Sequence, residues 1–217
     1  MKSILQAVLL TVVASYAAAA EPCDSFRDSK ARSAIDFAPP IGFIDVCSRD
    51  AQLCNLLTKG YPPSVQTIGY FVRAEEWQRY QKTEQKGFSR YLIAQRARTT
   101  MSATEFADFK RYIRGQQGNI PDHTELPSVL ESQGRVPLGV TDETDDSISF
   151  GVVMKLVPPG GGGTGSELLA SINIARQLKG ETLSLYAFDT VRQPTEVEGV
   201  KTLARHWIAC IGGQNAR

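Results

Sequence analysis

Residues 147–156 read SISFGVVMKL, and their pattern decides the fold class of the chain. Apolar side chains stand at every second position, so the even-numbered residues from Ile148 to Leu156 share one face. Mostly small or polar residues stand between them. Alternation with a period of two predicts a β-strand whose apolar face is buried.

Further strands are predicted on both sides of this segment. Residues 168–176 alternate in the same way, residues 179–181 form a turn, and residues 182–188 are expected to pair back. Upstream strands are predicted at three places rich in β-branched and aromatic residues: 65–73, 88–96 and 135–140.

Two amphipathic helices complete the pattern. Ser102 and Glu105 have the spacing of a capping box, and Phe106, Phe109 and Ile113 follow at helical spacing. They predict a helix over about residues 102–116. The last helix is predicted from a second capping box at 195–198 to a stop at Gly212-Gly213, and its apolar side chains form one stripe: Val197, Val200, Leu203, Ala204, Trp207, Ile208 and Ile211.

The resulting order is β-β-α-β-β-β-β-α. Strands joined by turns rather than by crossover helices predict an antiparallel sheet, with the two main helices packed on it. The fold class is therefore α+β, in a single domain expected at 41–213. An irregular N-terminal segment is expected at 21–40 and a short tail at 214–217.

The first twenty residues predict export. A short basic start is followed by an apolar run at 4–13, and Ala18 and Ala20 occupy the small-residue positions of a cleavage site. This segment is too short to be read as a stable membrane span. We therefore expect a signal peptide at 1–20 and a mature protein that is periplasmic or secreted.

Charge and hydropathy limit the kinds of partner. Lys and Arg number 24 and Asp and Glu number 23, so the chain has no strong field to attract nucleic acid. No later apolar run approaches the roughly 20 residues needed to cross a bilayer. The expected partner is a protein or another component of the cell envelope, with no nucleic acid and no membrane span after signal cleavage.

Four cysteines stand after the predicted cleavage site, and an even number in an exported chain predicts two disulfides. Of the three pairings that four cysteines allow, we favour Cys47–Cys54 and Cys23–Cys210. The first would close a short polar loop, and the second would join residues near the two mature termini, which often lie close together. Zinc binding is the alternative, without a C-x-x-C or H-x-x-x-H spacing to support it.

No catalytic or cofactor site is predicted. His206 stands on the last helix, where a positive charge suits the helix dipole, and His123 follows Asp122 in a proline-bounded loop. The glycines at 160–163 lack the lysine of a phosphate-binding loop. The acidic residues at 142–146 lack the glycine and glutamate positions of a calcium loop, and a solvated turn is the favoured interpretation. Most of the tyrosines at 61, 70, 80, 91 and 112 are expected to be half-buried in the sheet.

Two sequence patterns carry a resemblance. Residues 135–140 followed by 145–151, and residues 180–186 leading into the helix with Trp207, resemble uncharacterised exported proteins of proteobacteria. The order of strands and helices over about 65–211 resembles the Mog1/PsbP-like α/β sandwich. The resemblance implies that fold and carries no catalytic signature.

The sequence favours a non-catalytic interaction module of the periplasm or the cell exterior, because no nucleophile is paired with a base in a known motif. Two alternatives stay open. One is an envelope hydrolase that uses acidic residues and His123 without a recognisable motif. The other is a structural or stress-linked envelope factor.

Overall fold

The structure is a computed structural model, and it describes residues 22–26, 34–83, 87–117, 126–156 and 167–216. Within these ranges the chain forms one antiparallel sheet with helices on both faces. Its strands are β1 (Phe43–Asp45), β2 (Val65–Arg73), β3 (Arg90–Ala97), β4 (Arg135–Glu143), β5 (Ser147–Leu156), β6 (Glu167–Leu178) and β7 (Glu181–Val191). Its helices are α1 (Ala51–Thr58), α2 (Ala74–Thr83), α3 (Ala103–Gln116), α4 (Leu126–Gln133) and α5 (Glu198–Asn215). The predicted α+β class is confirmed.

Two groups of consecutive strands make up the sheet, in the order β1-β2-β3-β7-β6-β5-β4. Within each group, every strand pairs with its neighbour along the chain. The two groups meet where β3 pairs with β7, and there Tyr91 lies opposite Phe188 and Ile93 lies opposite Tyr186. This ladder joins residues almost a hundred positions apart.

One face of the sheet packs against α5. Trp207 and Ile211 of the helix are fully buried, and so are Leu183 and Leu185 of β7 beneath it. The predicted apolar stripe of the last helix is therefore the contact face. The irregular segment before β1 joins the same core, because the side chains of residues 35, 37 and 38 are also fully buried.

Strand β5 has the predicted bounds but the opposite orientation over most of its length. Ser149, Gly151 and Val153 point into the core below α5, whereas Phe150 and Val152 are only half-buried on the other face. The small residues are needed because the sheet is crowded there: a Cβ on Gly151 would lie 2.8 Å from a methyl of Ile172.

The last helix differs from its prediction at both ends. It begins at Glu198 after a 3₁₀ turn at Pro194–Val197, and no side chain caps it. It also passes through Gly212-Gly213 and ends at Asn215. The extra turn is held by tertiary hydrogen bonds, since the Asn215 amide donates to the backbone oxygen of Asp36 at 2.7 Å and accepts from its backbone N–H at 2.9 Å. Residues 214 and 215, predicted as tail, therefore belong to the helix.

Three of the helices go beyond the sequence predictions. Residues 74–77 predict only a short helical turn where the structure forms the whole of α2, and α1 and α4 were not predicted. Helix α1 has a local signal in Asp50, whose side chain accepts from the N–H of Leu53. None of the described helices has the length and apolar character needed to cross a membrane.

The outermost strands of the sheet are irregular. Strand β1 has only three residues. Strand β4 contains Pro137, and its pairing with β5 shifts register between Pro137 and Gly139 and again between Val140 and Asp142. The predicted signal peptide at 1–20 lies outside the described residues.

Candidate functional site

The face of the sheet opposite α5 carries a group of aromatic side chains. They come from β2, β3, β7 and the loop after α1, and we call them the tyrosine face: Tyr61, Tyr70, Tyr91, Tyr186 and Phe188. Their orientation follows from strand alternation. Leu185 and Ala187 of β7 point toward α5, so Tyr186 and Phe188 point away from it.

Several of these rings lie nearly parallel to one another. The centroid of Tyr91 lies 5.3 Å from that of Tyr70 and 4.5 Å from that of Phe188, with interplanar angles of 10° and 19°. Tyr186 lies 6.3 Å from Phe188 at 17°. The row spans three strands and crosses the β3–β7 ladder.

Part of this aromatic surface remains accessible. Tyr70 is 6% exposed, whereas Tyr61, Tyr91, Tyr186 and Phe188 are half-buried. Tyrosine combines a large apolar ring with a hydrogen-bonding hydroxyl at small entropic cost, and aromatic residues are enriched in binding interfaces. The arrangement is therefore suited to holding another molecule.

The hydroxyl groups of the tyrosine face are kept protonated at neutral pH. Burial raises the pKa of Tyr61, Tyr70, Tyr91 and Tyr186 because it disfavours the phenolate. For Tyr91 burial, with a smaller contribution from nearby Tyr61, raises the pKa to about 12. Each phenol can therefore donate a hydrogen bond as well as accept one.

Polar groups of β6 continue this surface across the sheet. Ser171 lies opposite Phe188, and Asn173 lies opposite Tyr186. The Asn173 amide is half-buried and donates to Ser171 Oγ at 3.4 Å and to the backbone oxygen of Phe150 at 3.5 Å. The aromatic row thus borders an amide that offers further hydrogen bonding.

Two buried carboxylates elsewhere, Asp36 and Asp45, bind backbone groups. Asp45 accepts from the N–H groups of Tyr70 at 3.0 Å and Ser48 at 2.7 Å, and burial raises its pKa despite these bonds. Asp36 accepts from the N–H groups of Phe26 at 2.7 Å and Ala38 at 3.0 Å. These two groups fix loops in place, a structural role that the sequence did not reveal.

Two of the acidic residues at 142–146 pair with cations of other elements. Glu143 pairs with Arg114 and Lys110 of α3, and the hydrogen bond from Arg114 lowers its pKa. Asp146 accepts from Arg176 of β6 at 3.2 Å. These ion pairs attach α3 and β6 to the β4–β5 turn.

Both disulfides have the pairing that the sequence favoured. Cys23 is joined to Cys210 and Cys47 to Cys54, with Cα–Cα distances of 5.6 and 4.8 Å. His206 lies beside the first of them on α5. His123 and the glycines at 160–163 lie outside the described residues.

These elements define the class of the fold as an α+β sandwich with one antiparallel sheet between helices. The Ran-binding protein Mog1p of Saccharomyces cerevisiae is similar to it, with a TM-score of 0.44 and 11% identity over 87% of this chain and 94% of that one. A mutant of protein Mog1 is also similar, with a TM-score of 0.42 and 10% identity over the same shares of the two chains. No protein-family model and no curated protein sequence matches the chain.

The tyrosine face could not be recognised in the sequence. The five tyrosines noted there are spread over residues 61–112 without a common period, and only three of them belong to the tyrosine face. Tyr186 was seen only as part of a strand. The rings meet because β3 pairs with β7, and no local sequence pattern predicts that pairing. The one available signal was the alternation in β7, which places Tyr186 and Phe188 on the same face.

Proposed function

We propose that the protein is a non-catalytic binding module of the periplasm or the cell exterior, and that it binds a protein partner on the tyrosine face. The observation that carries the proposal is the row of nearly parallel rings at Tyr91, Phe188 and Tyr186, each with part of its surface accessible. The predicted signal peptide and the two disulfides support export, because disulfides persist in oxidising compartments.

The chemistry of this surface indicates what a partner must offer. Parallel rings present flat apolar area, which favours an aliphatic or aromatic side chain of the partner. The protonated phenols then donate to carbonyl groups at the edge of the contact, and the oxygen of the Asn173 amide accepts from an N–H group. A short peptide segment with apolar side chains and accessible backbone carbonyls meets both requirements.

Substitution of the accessible rings tests the proposal. The immobilised protein is exposed to an envelope extract, and the bound proteins are quantified for the wild type and for the Tyr186→Ala and Phe188→Ala variants. We expect one protein to be retained specifically and its recovery to fall roughly tenfold or more in both variants, as for central interface residues. Tyr112→Ala is the matched control, because Tyr112 is 60% exposed on α3 and does not belong to the tyrosine face.

A second measurement separates lost binding from lost folding. Nitration with tetranitromethane is followed by peptide mapping in the presence and absence of the recovered partner. The partner should protect Tyr186 and leave Tyr112 reactive. Equal protection of both residues, or recovery that Tyr186→Ala and Phe188→Ala leave unchanged in folded protein, would contradict binding at the tyrosine face.

A further inference from the structure

Three groups able to bind a metal converge at the N-terminal segment and α5. His206 and Cys210 stand one helical turn apart, and Cys23 reaches them from the other end of the chain. An imidazole nitrogen and the two sulfur atoms all lie within 4.8 Å of one another. In the part of the chain that the structure describes, no other group of three or more His, Cys, Asp or Glu residues is so placed.

This cluster is accessible from one side. Cys210 is 2% exposed, whereas Cys23 and His206 are half-buried. Water, a small reductant or an ion can therefore approach from the side of Cys23, whereas Cys210 lies among the buried residues of α5. The site lies on α5, which packs on the face of the sheet opposite the tyrosine face, so the two surfaces are separate.

The position of Cys23 does not depend on the disulfide alone. The N–H of Asp24 donates to the backbone oxygen of Pro39 at 3.0 Å, and the N–H of Ile41 donates to that of Pro22 at 3.2 Å. A few residues on, the Phe26 ring packs edge-on against Phe71 with centroids 4.9 Å apart. These contacts hold the segment on both sides of Cys23.

A second set of contacts ties this segment to the end of α5. Ser25 and Phe26 both donate to the carboxylate of Asp36, at 2.5 and 2.7 Å. The backbone of Asp36 is in turn bonded to the Asn215 amide, one turn beyond Cys210. Breaking the sulfur–sulfur bond therefore leaves Cys23 next to Cys210 and His206.

We propose that reduction of the Cys23–Cys210 disulfide creates a zinc site formed by both sulfurs and the His206 imidazole. A dithiol reductant supplies two electrons and two protons, is itself oxidised to a disulfide, and leaves two thiols. Each thiol releases its proton to solvent as Zn²⁺ binds, and water takes the fourth position. Zinc bonds sulfur at about 2.3 Å and nitrogen at about 2.0 Å, so shifts of about 1 Å would bring the three atoms to one ion.

The test uses a chain in which only this pair of cysteines remains. The double variant Cys47→Ser, Cys54→Ser is reduced with a dithiol, freed of reductant without oxygen, and titrated with Co²⁺ as a spectroscopic probe. We expect one ion per chain, with thiolate-to-cobalt charge transfer and the visible bands of a tetrahedral site, and displacement by Zn²⁺. The oxidised protein should show none of these bands.

Two further variants identify the ligands. Adding His206→Ala should weaken Co²⁺ binding roughly tenfold or more and change the visible bands, because a nitrogen ligand is lost. The matched control, Cys23→Ser with Cys210→Ser, keeps Cys47 and Cys54 and should give no tetrahedral spectrum after reduction. A tetrahedral spectrum in this control, or unchanged binding in His206→Ala, would overturn the proposed ligand set.

Circular dichroism shows whether the reduced protein is folded and whether Zn²⁺ stabilises it. If the reduced Cys47→Ser, Cys54→Ser protein stays folded, Zn²⁺ should raise its Tm; if it unfolds, Zn²⁺ should refold it, because an ion bound only by the native state stabilises that state. Absence of both effects would overturn the zinc site. The outcome is independent of the partner-binding experiment, which uses the oxidised protein and residues of the other face.

Discussion

At the scale of single residues, burial of the phenols of the tyrosine face makes the stability of the fold depend on pH. Each of Tyr61, Tyr70, Tyr91 and Tyr186 loses hydration on folding, and this raises its pKa above that of the unfolded chain, about 10. The folded state therefore holds these protons more tightly than the unfolded state. Their contribution to stability is fully present below pH of about 10 and is lost as the pH rises through the folded pKa values.

Alkaline titration checks this linkage. Tyrosinate absorbance of the folded protein should show that Tyr91 stays protonated until the pH reaches about 12. The free energy of unfolding should fall steadily above a pH of about 10. The Tyr91→Phe variant should lack the ionisation near pH 12 and lose less stability over that interval. Complete ionisation of all tyrosines near pH 10 in protein that is still folded would contradict the raised values.

The residues of the site could be predicted only in part from the sequence. The cysteine pairs were favoured correctly, because the short loop and the closeness of chain ends are simple geometric arguments. The tyrosines at 61, 70 and 91 were expected to be half-buried in the sheet, and their joint arrangement with Tyr186 was missed. The i,i+4 spacing of His206 and Cys210 was visible, but its meaning depends on Cys23, which only the fold brings near.

At the scale of elements, glycines show where packing overrides local preference. Gly213 lies inside α5 with nothing within 4 Å of an added Cβ, so it continues a helix that its residue type disfavours. Gly69 lies on β2 where an added Cβ would meet the buried Phe71 ring at 2.5 Å. The first glycine is tolerated, whereas the second is required.

Alanine at these two positions should therefore have opposite effects. Gly213→Ala is expected to raise the free energy of unfolding by about 0.5–1 kcal/mol, because alanine is the better helix former. Gly69→Ala is expected to lower it by about 1–3 kcal/mol through overpacking against Phe71. Urea unfolding at neutral pH measures both changes, and a shift of the same sign in the two variants would contradict this account of packing.

Elements with strong local signals were predicted best. Strands β2 and β5 have their predicted bounds, and Ser102 and Glu105 form the predicted capping box at the start of α3. The buried face of β5 was predicted wrongly because core positions usually carry large apolar residues, whereas Ser149 and Gly151 are small. Side chains of the neighbouring strands, Leu138 and Ile172, leave no room for a larger residue at Gly151. The end of α5 was misplaced because its last turn depends on a contact with Asp36.

At the scale of the whole molecule, the two disulfides constrain very different lengths of chain. Cys23 and Cys210 are 187 positions apart, and Cys47 and Cys54 are 7 apart. On the loop-entropy estimate the longer bridge stabilises by up to about 5 kcal/mol and the shorter one by about 2–3 kcal/mol. The longer bridge also joins the irregular N-terminal segment to the last helix.

Removing each bridge in turn should reproduce this order. The pair of changes Cys23→Ser and Cys210→Ser should lower the free energy of unfolding more than Cys47→Ser with Cys54→Ser, by roughly 2 kcal/mol, because the unfolded chain gains more freedom. Equilibrium unfolding in urea measures the difference. An equal or reversed order would show that native contacts around Cys47 outweigh the entropy of the unfolded chain.

The whole fold was predictable to the level of class and of local strand pairs. Antiparallel neighbours such as β6 and β7 follow from the short turn at Lys179-Gly180. The pairing of β3 with β7 is a choice among non-neighbouring strands, and no residue pattern determined it. The tyrosine face depends on that pairing, so its location could not be derived before the structure.

The irregular outer strands have a consequence for contact between separate molecules. A long regular strand at the border of a sheet exposes N–H and carbonyl groups on which another chain can add a strand and start aggregation. Here β1 is too short to serve as such a template. Pro137 in β4 offers no N–H, and the register shifts beside it break the even row of groups that an added strand would need. Growth of the sheet into a fibril is thus opposed at each border, and the broad aromatic face can stay available for a specific partner.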